Sequence, residues 1–148
     1  MSLNALAIAA GVAALSVAGV TIKDVDEIPN IIPVRDCPVL IPAPDRWLAG
    51  SLGETGPRTF GPGMWEFSRD FEYLYLHATT GVKRSSSDYI AALSANVDAI
   101  LTALTGLNVS GADVEQIACT GIVEITDPAK NSFYGCQITL TMKERVNA

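Results

Sequence analysis

Residues 85–106, SSSDYIAALSANVDAILTALTG, constrain the fold most, because their secondary structure, ends and buried face are all specified locally. Ile90, Leu93, Val97, Ile100, Leu101 and Leu104 recur at three- and four-residue spacing, opposite Ser94, Ala95, Asn96, Asp98 and Thr102. Ser85, Ser86 and Ser87 offer hydroxyl caps, Asp88 sets a negative charge at the positive end of the helix dipole, and Gly106 can adopt the left-handed stop. At roughly 1.5–3 kcal/mol per buried side chain, the apolar face is worth on the order of ten kcal/mol. That is comparable with the net stability of a whole domain, so a sheet or second helix must lie beneath it.

With 148 residues, 49% hydrophobic and 18% charged, the chain is expected to form one domain, 1–148. A net charge of -6 argues against coating nucleic acid, which needs surplus Lys and Arg, but does not exclude lining a conduit through which DNA slides without sticking. Cys37, Cys119 and Cys136 are odd in number and lack CxxC spacing, so they signal neither a disulfide framework nor a zinc site, and a reducing compartment fits.

Residues 3–18 read as an Ala-rich helix with Leu3, Leu6, Ala7, Ala10, Ala14 and Val17 on one face. Its small side chains would permit close approach to another backbone. Residues 3–20 also form the one apolar run that could be a signal peptide or membrane span; the missing basic lead and the interrupting Asn4, Ser16 and glycines favour a packed helix. Asp24, Asp26 and Glu27 form an acidic cluster with no second ligand group nearby, which favours a solvated turn over a metal site.

The four prolines in 30–44 confine that stretch to extended or edge strands. Residues 45–64 are rich in Gly and Pro and read as a long irregular loop, whose Arg46, Trp47, Arg58 and Phe60 are residue types favoured at interface hot spots. The competing reading folds this loop over its own core through Trp47.

Residues 65–77 carry the strongest strand signal, with Trp65, Phe67, Phe71, Tyr73 and Tyr75 on one face and Glu66, Ser68, Asp70 and Glu72 on the other. Arg69 interrupts the apolar face, either as a buried partner of an acid or where the strand emerges into an interface; His77 at the strand end reads as structural or exposed. Residues 114–126 and 132–143 form a closing hairpin in which Val123 faces Tyr134, Cys119 faces Ile138 and Ile117 faces Leu140. Cys119 and Cys136 then form a diagonal pair about 7–8 Å apart, beyond an unstrained disulfide, and read as core fillers. The whole is an α+β sandwich: a mostly antiparallel sheet of four or more strands with two helices packed on one face.

The sequence lacks a G-x-S-x-G elbow, a P-loop, a dinucleotide fingerprint and H-E-x-x-H, and its carboxylates alternate along a strand as a solvent face does. No enzyme, catalytic residue, cofactor or metal is expected. The order of elements, the W-E-F-x-x-x-F strand at Trp65, Phe67 and Phe71, and the FYGCQITLTMKER hairpin strand at 133–145 resemble tail terminator (tail completion) proteins of long-tailed bacteriophages.

The resemblance implies a structural virion protein of the phage neck, assembled in the host cytoplasm as a homo-oligomeric, hexameric ring. The ring caps the tail tube protein, ends its polymerisation and meets the head-side connector or stopper. Genome DNA would pass through the lumen without specific binding, and no membrane is involved. On this reading Arg46, Trp47, Arg58, Phe60 and Arg69 are interface candidates, and Asp24, Asp26, Glu27, Glu66, Asp70 and Glu72 candidate lumen acids. The alternatives are a head-tail connector or stopper and, from another class, a small cytoplasmic ligand-binding domain or enzyme with its pocket under the long loop.

Overall fold

Two sixteen-residue strands form the axis of the molecule: β4, Met64–Thr79, and β7, Ser132–Asn147, paired antiparallel over most of their length. The computed structural model describes residues 5–27, 37–43, 47, 50–55, 64–79, 86–109, 111–126 and 132–147, with backbone alone at 27, 50–55, 64–65, 79, 86–89 and 145–147. Before β4 come helix α1 (Ala5–Ala13), β1 (Thr21–Ile22), a 3-10 turn (Val25–Glu27), β2 (Val39–Pro42) and β3 (Gly50–Thr55). After it come α2 (Ser86–Thr105), β5 (Ala112–Cys119) and β6 (Val123–Thr126). The sheet has seven strands in the order β1-β2-β4-β7-β5, with β3 also on β4 and β6 also on β7. Every pairing is antiparallel except β1 with β2. This is the expected α+β architecture.

The long strands persist because aromatic and β-branched residues alternate with polar ones, which suits a pleated surface buried on one side. Phe71, Tyr73 and Tyr75 on β4 and Cys136, Ile138, Leu140 and Met142 on β7 are buried. They form one core with Ile8, Ala9 and Val12 of α1 and Leu93, Val97, Ile100 and Leu104 of α2, so both helices pack on the same face. On α2 the expected stripe holds except at its start, where Ile90 is 40% exposed. A smaller apolar cluster, Val39, Ile41, Leu76 and Phe133, includes the residues that alternate with this core in β2 and β4.

The face of α1 differs from expectation. Ile8, Ala9 and Val12 are buried, while Leu6 is 73% exposed and Ala7, Ala10 and Ala14 are exposed. Its sequence, ALAIAAGVA, is apolar all round, so periodicity has no polar side to orient against; the branched Ile8 and Val12 take the core. Leu3 lies outside the described residues. The close approach occurs at Gly11, where an added Cβ would stand 3.0 Å from Val109 Cγ2 and 3.3 Å from Leu107 Cδ1.

The 45–64 stretch is also not wholly a loop: its Gly50–Thr55 segment pairs with Met64–Arg69 as β3. Strand propensity is low for a glycine-rich sequence, but an adjacent unsatisfied strand edge supplies hydrogen bonds that override it.

The closing hairpin keeps the expected pairs Cys119 with Ile138 and Ile117 with Leu140. Beyond them the register slips by one, so Val123 pairs with Gly135 and Glu124 with Tyr134. The cause is the break at Thr120, whose N–H donates to Gln137 O while its Oγ1 accepts from Gln137 N.

Candidate protein interface

The aromatic residue expected to anchor a partner is instead inside the fold. Trp47 is 3% exposed, packs edge-on against Phe71 at 5.1 Å and lies 5.6 Å from Tyr73. Its Nε1–H donates to Glu72 O at 3.1 Å, the carbonyl that also receives the Ala43 N–H. Trp47 thus occupies the gap along β4 between the end of β2 and the start of β3. The gap provides an apolar wall and a carbonyl that accepts a second hydrogen bond, which together suit an indole.

Arg69 is interior as well, and the buried-acid alternative describes it. Its Nε stands 3.3 Å from Glu144 Oε1, both side chains are almost wholly buried, and its Cζ lies 4.7 Å from the centre of the Phe67 ring. Neither Trp47 nor Arg69 is therefore an exposed anchor. Arg46, Arg58 and Phe60 lie outside the described residues.

The acids separate into two places. Glu66, Asp70 and Glu72 alternate with the core residues of β4 and so share the sheet face turned away from the helices. There Lys143 Nζ meets Glu66 Oε2 at 3.3 Å and Glu115 Oε1 at 3.6 Å, Ser68 Oγ donates to Glu115 Oε2, and Thr141 Oγ1 donates to Asp70 Oδ1 at 2.6 Å. Glu115 joins this face because it is the extra residue of a bulge between Val114 and Gln116. It is the functional candidate that sequence alternation missed. The hydrogen bond that Lys143 donates to Glu66, then the charge of Glu115, raises the Lys143 pKa.

Asp24 belongs to the helix side: its charge, secondary to burial, helps raise the pKa of Tyr73, whose ring is in the main core. Its Oδ1 accepts from Val25 N, and Asp26 is exposed on the same turn. The Glu27 side chain lies outside the described part. The six expected lumen acids thus do not form one wall, whereas Glu66, Asp70 and Glu72 with Glu115 do share one.

His77 is buried and belongs to a polar chain in which Asn96 Nδ2 donates to Tyr75 Oη, which lies 2.8 Å from His77 Nδ1. This ties α2 to β4 and is structural.

Among the described residues, two apolar areas are exposed. One is the outer side of α1 around Leu6. The other follows the gap between α2 and the β5–β6 edge, where a groove of about 170 Å³ is lined by Leu93, Val97 and Ile122 among others. Ile90 at 40%, Ile122 at 43% and Val123 at 40% exposure add apolar surface on the helix and strand that form it.

No cluster of three or more His, Cys, Asp or Glu among the described residues is placed to hold a metal. No helix among them is long and apolar enough to cross a membrane. Comparison with protein-family models and with curated protein sequences finds no match.

Proposed function

We propose that this chain is a structural protein of a phage neck. As a subunit of a ring, hexameric in the proteins it resembles, it caps the tail tube, ends its polymerisation and joins it to the head-side connector or stopper. The observation that supports this best is that the described residues expose two apolar areas at different places on one chain. Identical subunits close into a ring through heterologous contacts, in which one patch meets a different patch on the neighbour, whereas a two-fold dimer needs only one self-complementary patch. The outer face of α1 and the groove edge at Ile90, Ile122 and Val123 meet that requirement.

The acidic sheet face supports the second part of the reading. Glu66, Asp70, Glu72 and Glu115 share it with Lys143 as its cation among the described side chains. Turned toward a lumen, such a face repels the phosphate backbone and lets DNA pass. The groove between α2 and the β5–β6 edge, about 170 Å³, falls below the roughly 300–1,000 Å³ typical of small-molecule sites, and the ligand-binding alternative's pocket under the 45–64 stretch lies largely outside the described residues.

Light scattering with negative-stain imaging, on the protein alone and mixed with its tail tube, tests the proposal. A ring, free or only at tube ends, is expected. A stable monomer that ignores tubes overturns it, and rings that bind only the head-side assembly transfer the assignment to a connector or stopper.

A further inference from the structure

Edge strands of natural sheets are blunted by charges, prolines or bulges, because their outward N–H and C=O groups otherwise pair with another chain. Along β5 and its continuation into β6 these guards stand only at the ends. Asp113 and the bulged Glu115 precede, Glu124 follows, and 116–123, QIACTGIV, carries neither charge nor proline. Every residue of that run except Ile117 is exposed, and among the described residues no strand lies outside β5. Thr120 N–H donates to Gln137 O, toward β7, so by alternation the N–H groups of Ile117 and Cys119 point outward from the sheet.

On the other side of the sheet β3, GSLGET, is paired with β4 alone among the described strands. Its glycines give it little strand propensity of its own, so a second neighbour would stabilise it more than any other strand. Through β7, β5 runs parallel to β4, whereas β3 runs antiparallel to it. Two copies related by a rotation axis along the strands therefore bring β5 of one against β3 of the next in antiparallel orientation. Their heights also overlap: β5 stands, through β7, level with 67–73 of β4, and β3 lies along 64–69, so a slide of a few residues sets β3 against the uncharged run. A two-fold pairing of β5 with β5 would leave β3 open in both copies, whereas a β5–β3 joint uses both edges of every copy.

We propose, resting on the ring reading, that the subunits join by strand addition: the outer edge of 116–123 in one copy pairs antiparallel with the outer edge of β3 in the next. The joint includes the exposed Ile122 and Val123 and hydrogen-bonds the outward Ile117 and Cys119 amides. The sheet then continues from subunit to subunit, and Glu66, Asp70, Glu72 and Glu115 of every copy fall on one common wall.

Hydrogen exchange tests this on the full chain, compared between rings, free or on tube ends, and the unassembled protein, with light scattering recording the mass in each case. Slower exchange in the rings at both 116–123 and 50–55 is expected. Rings in which either segment exchanges as fast as in the unassembled protein overturn the strand joint and leave the ring reading standing. A dimer protected at 116–123 alone, or a protein that stays monomeric, overturns both. Cys119→Pro removes one outward N–H and no bond to β7, so it should keep the subunit's melting temperature and lose the ring; a ring that forms unchanged overturns the joint. If that variant fails to fold, the wild-type exchange decides.

Discussion

A guanidinium enclosed by two phenyl rings and a carboxylate has given up most of its water, and its stability rests on its partner. Arg69 lies in this setting, with Glu144 at 3.3 Å and the Phe67 and Phe71 rings at 4.7 and 5.6 Å from its Cζ. Removing one member of such a buried pair costs about 3–5 kcal/mol, while replacing both with apolar residues is often neutral. Arg69→Met should therefore lower the urea midpoint sharply, and Arg69→Met with Glu144→Leu should recover most of the loss. Tyr75 and Cys136 bring a pH dependence: burial foremost raises each to about 12, from 10.0 and 9.0. Between the ordinary and raised values the unfolded chain binds fewer protons than the folded one, so stability is full below about pH 9 and falls as pH rises toward 12. Thermal melts from neutral to alkaline pH should show a plateau and then a decline. Tyr75→Phe should lower the plateau by about 1 kcal/mol per lost hydrogen bond and flatten the decline. The sequence showed Arg69 to be anomalous without naming its partner, because Glu144 lies far along the chain and meets it only through the β4–β7 register.

The β4–β7 ladder depends on one position with no room for a side chain. A Cβ on Gly135 would collide with the backbone carbonyl of Tyr75, where β4 bulges between Leu76 and Ala78. Gly135→Ala must push the two longest strands apart, and overpacking of this kind costs about 1–3 kcal/mol or more. Denaturant unfolding checks the loss, and amide exchange should place it at the His77 end of β4. Element type was legible wherever composition had contrast: α2 between its serine cap and Gly106, and the alternating β4 and β7. It was illegible in α1, where every outward residue is as apolar as the inward ones, and in β3, whose glycines conceal a strand made by its neighbour. The hairpin shows both outcomes, since the Ile117 and Cys119 pairs follow from alternation and the slip at Val123 follows from the Thr120 break.

For the whole molecule, the proposal separates folding from assembly. Leu6→Glu changes a side chain that is 73% exposed, so the subunit should keep its stability to within about 0.5 kcal/mol. The same change should abolish ring formation in light scattering; rings that form unchanged would remove α1 from the interface. Ile122→Asp should act alike from the other patch. The candidate site was only partly readable in the sequence. Glu66, Asp70 and Glu72 share a face because side chains alternate along a strand, and that needed no structure. Glu115 joins them through a bulge, Asp24 falls on the other side of the sheet, and Trp47 turns inward because a gap between two strands offers it a carbonyl. By itself the sequence determined the α+β class, the central helix and the two long strands, because local periodicity and capping act within a few residues. Only the tertiary structure decided which side of α1 is buried, where β3 forms, what pairs with Arg69 and how the acids group. Each of these depends on contacts between residues distant in the chain, whose energies local pattern does not contain.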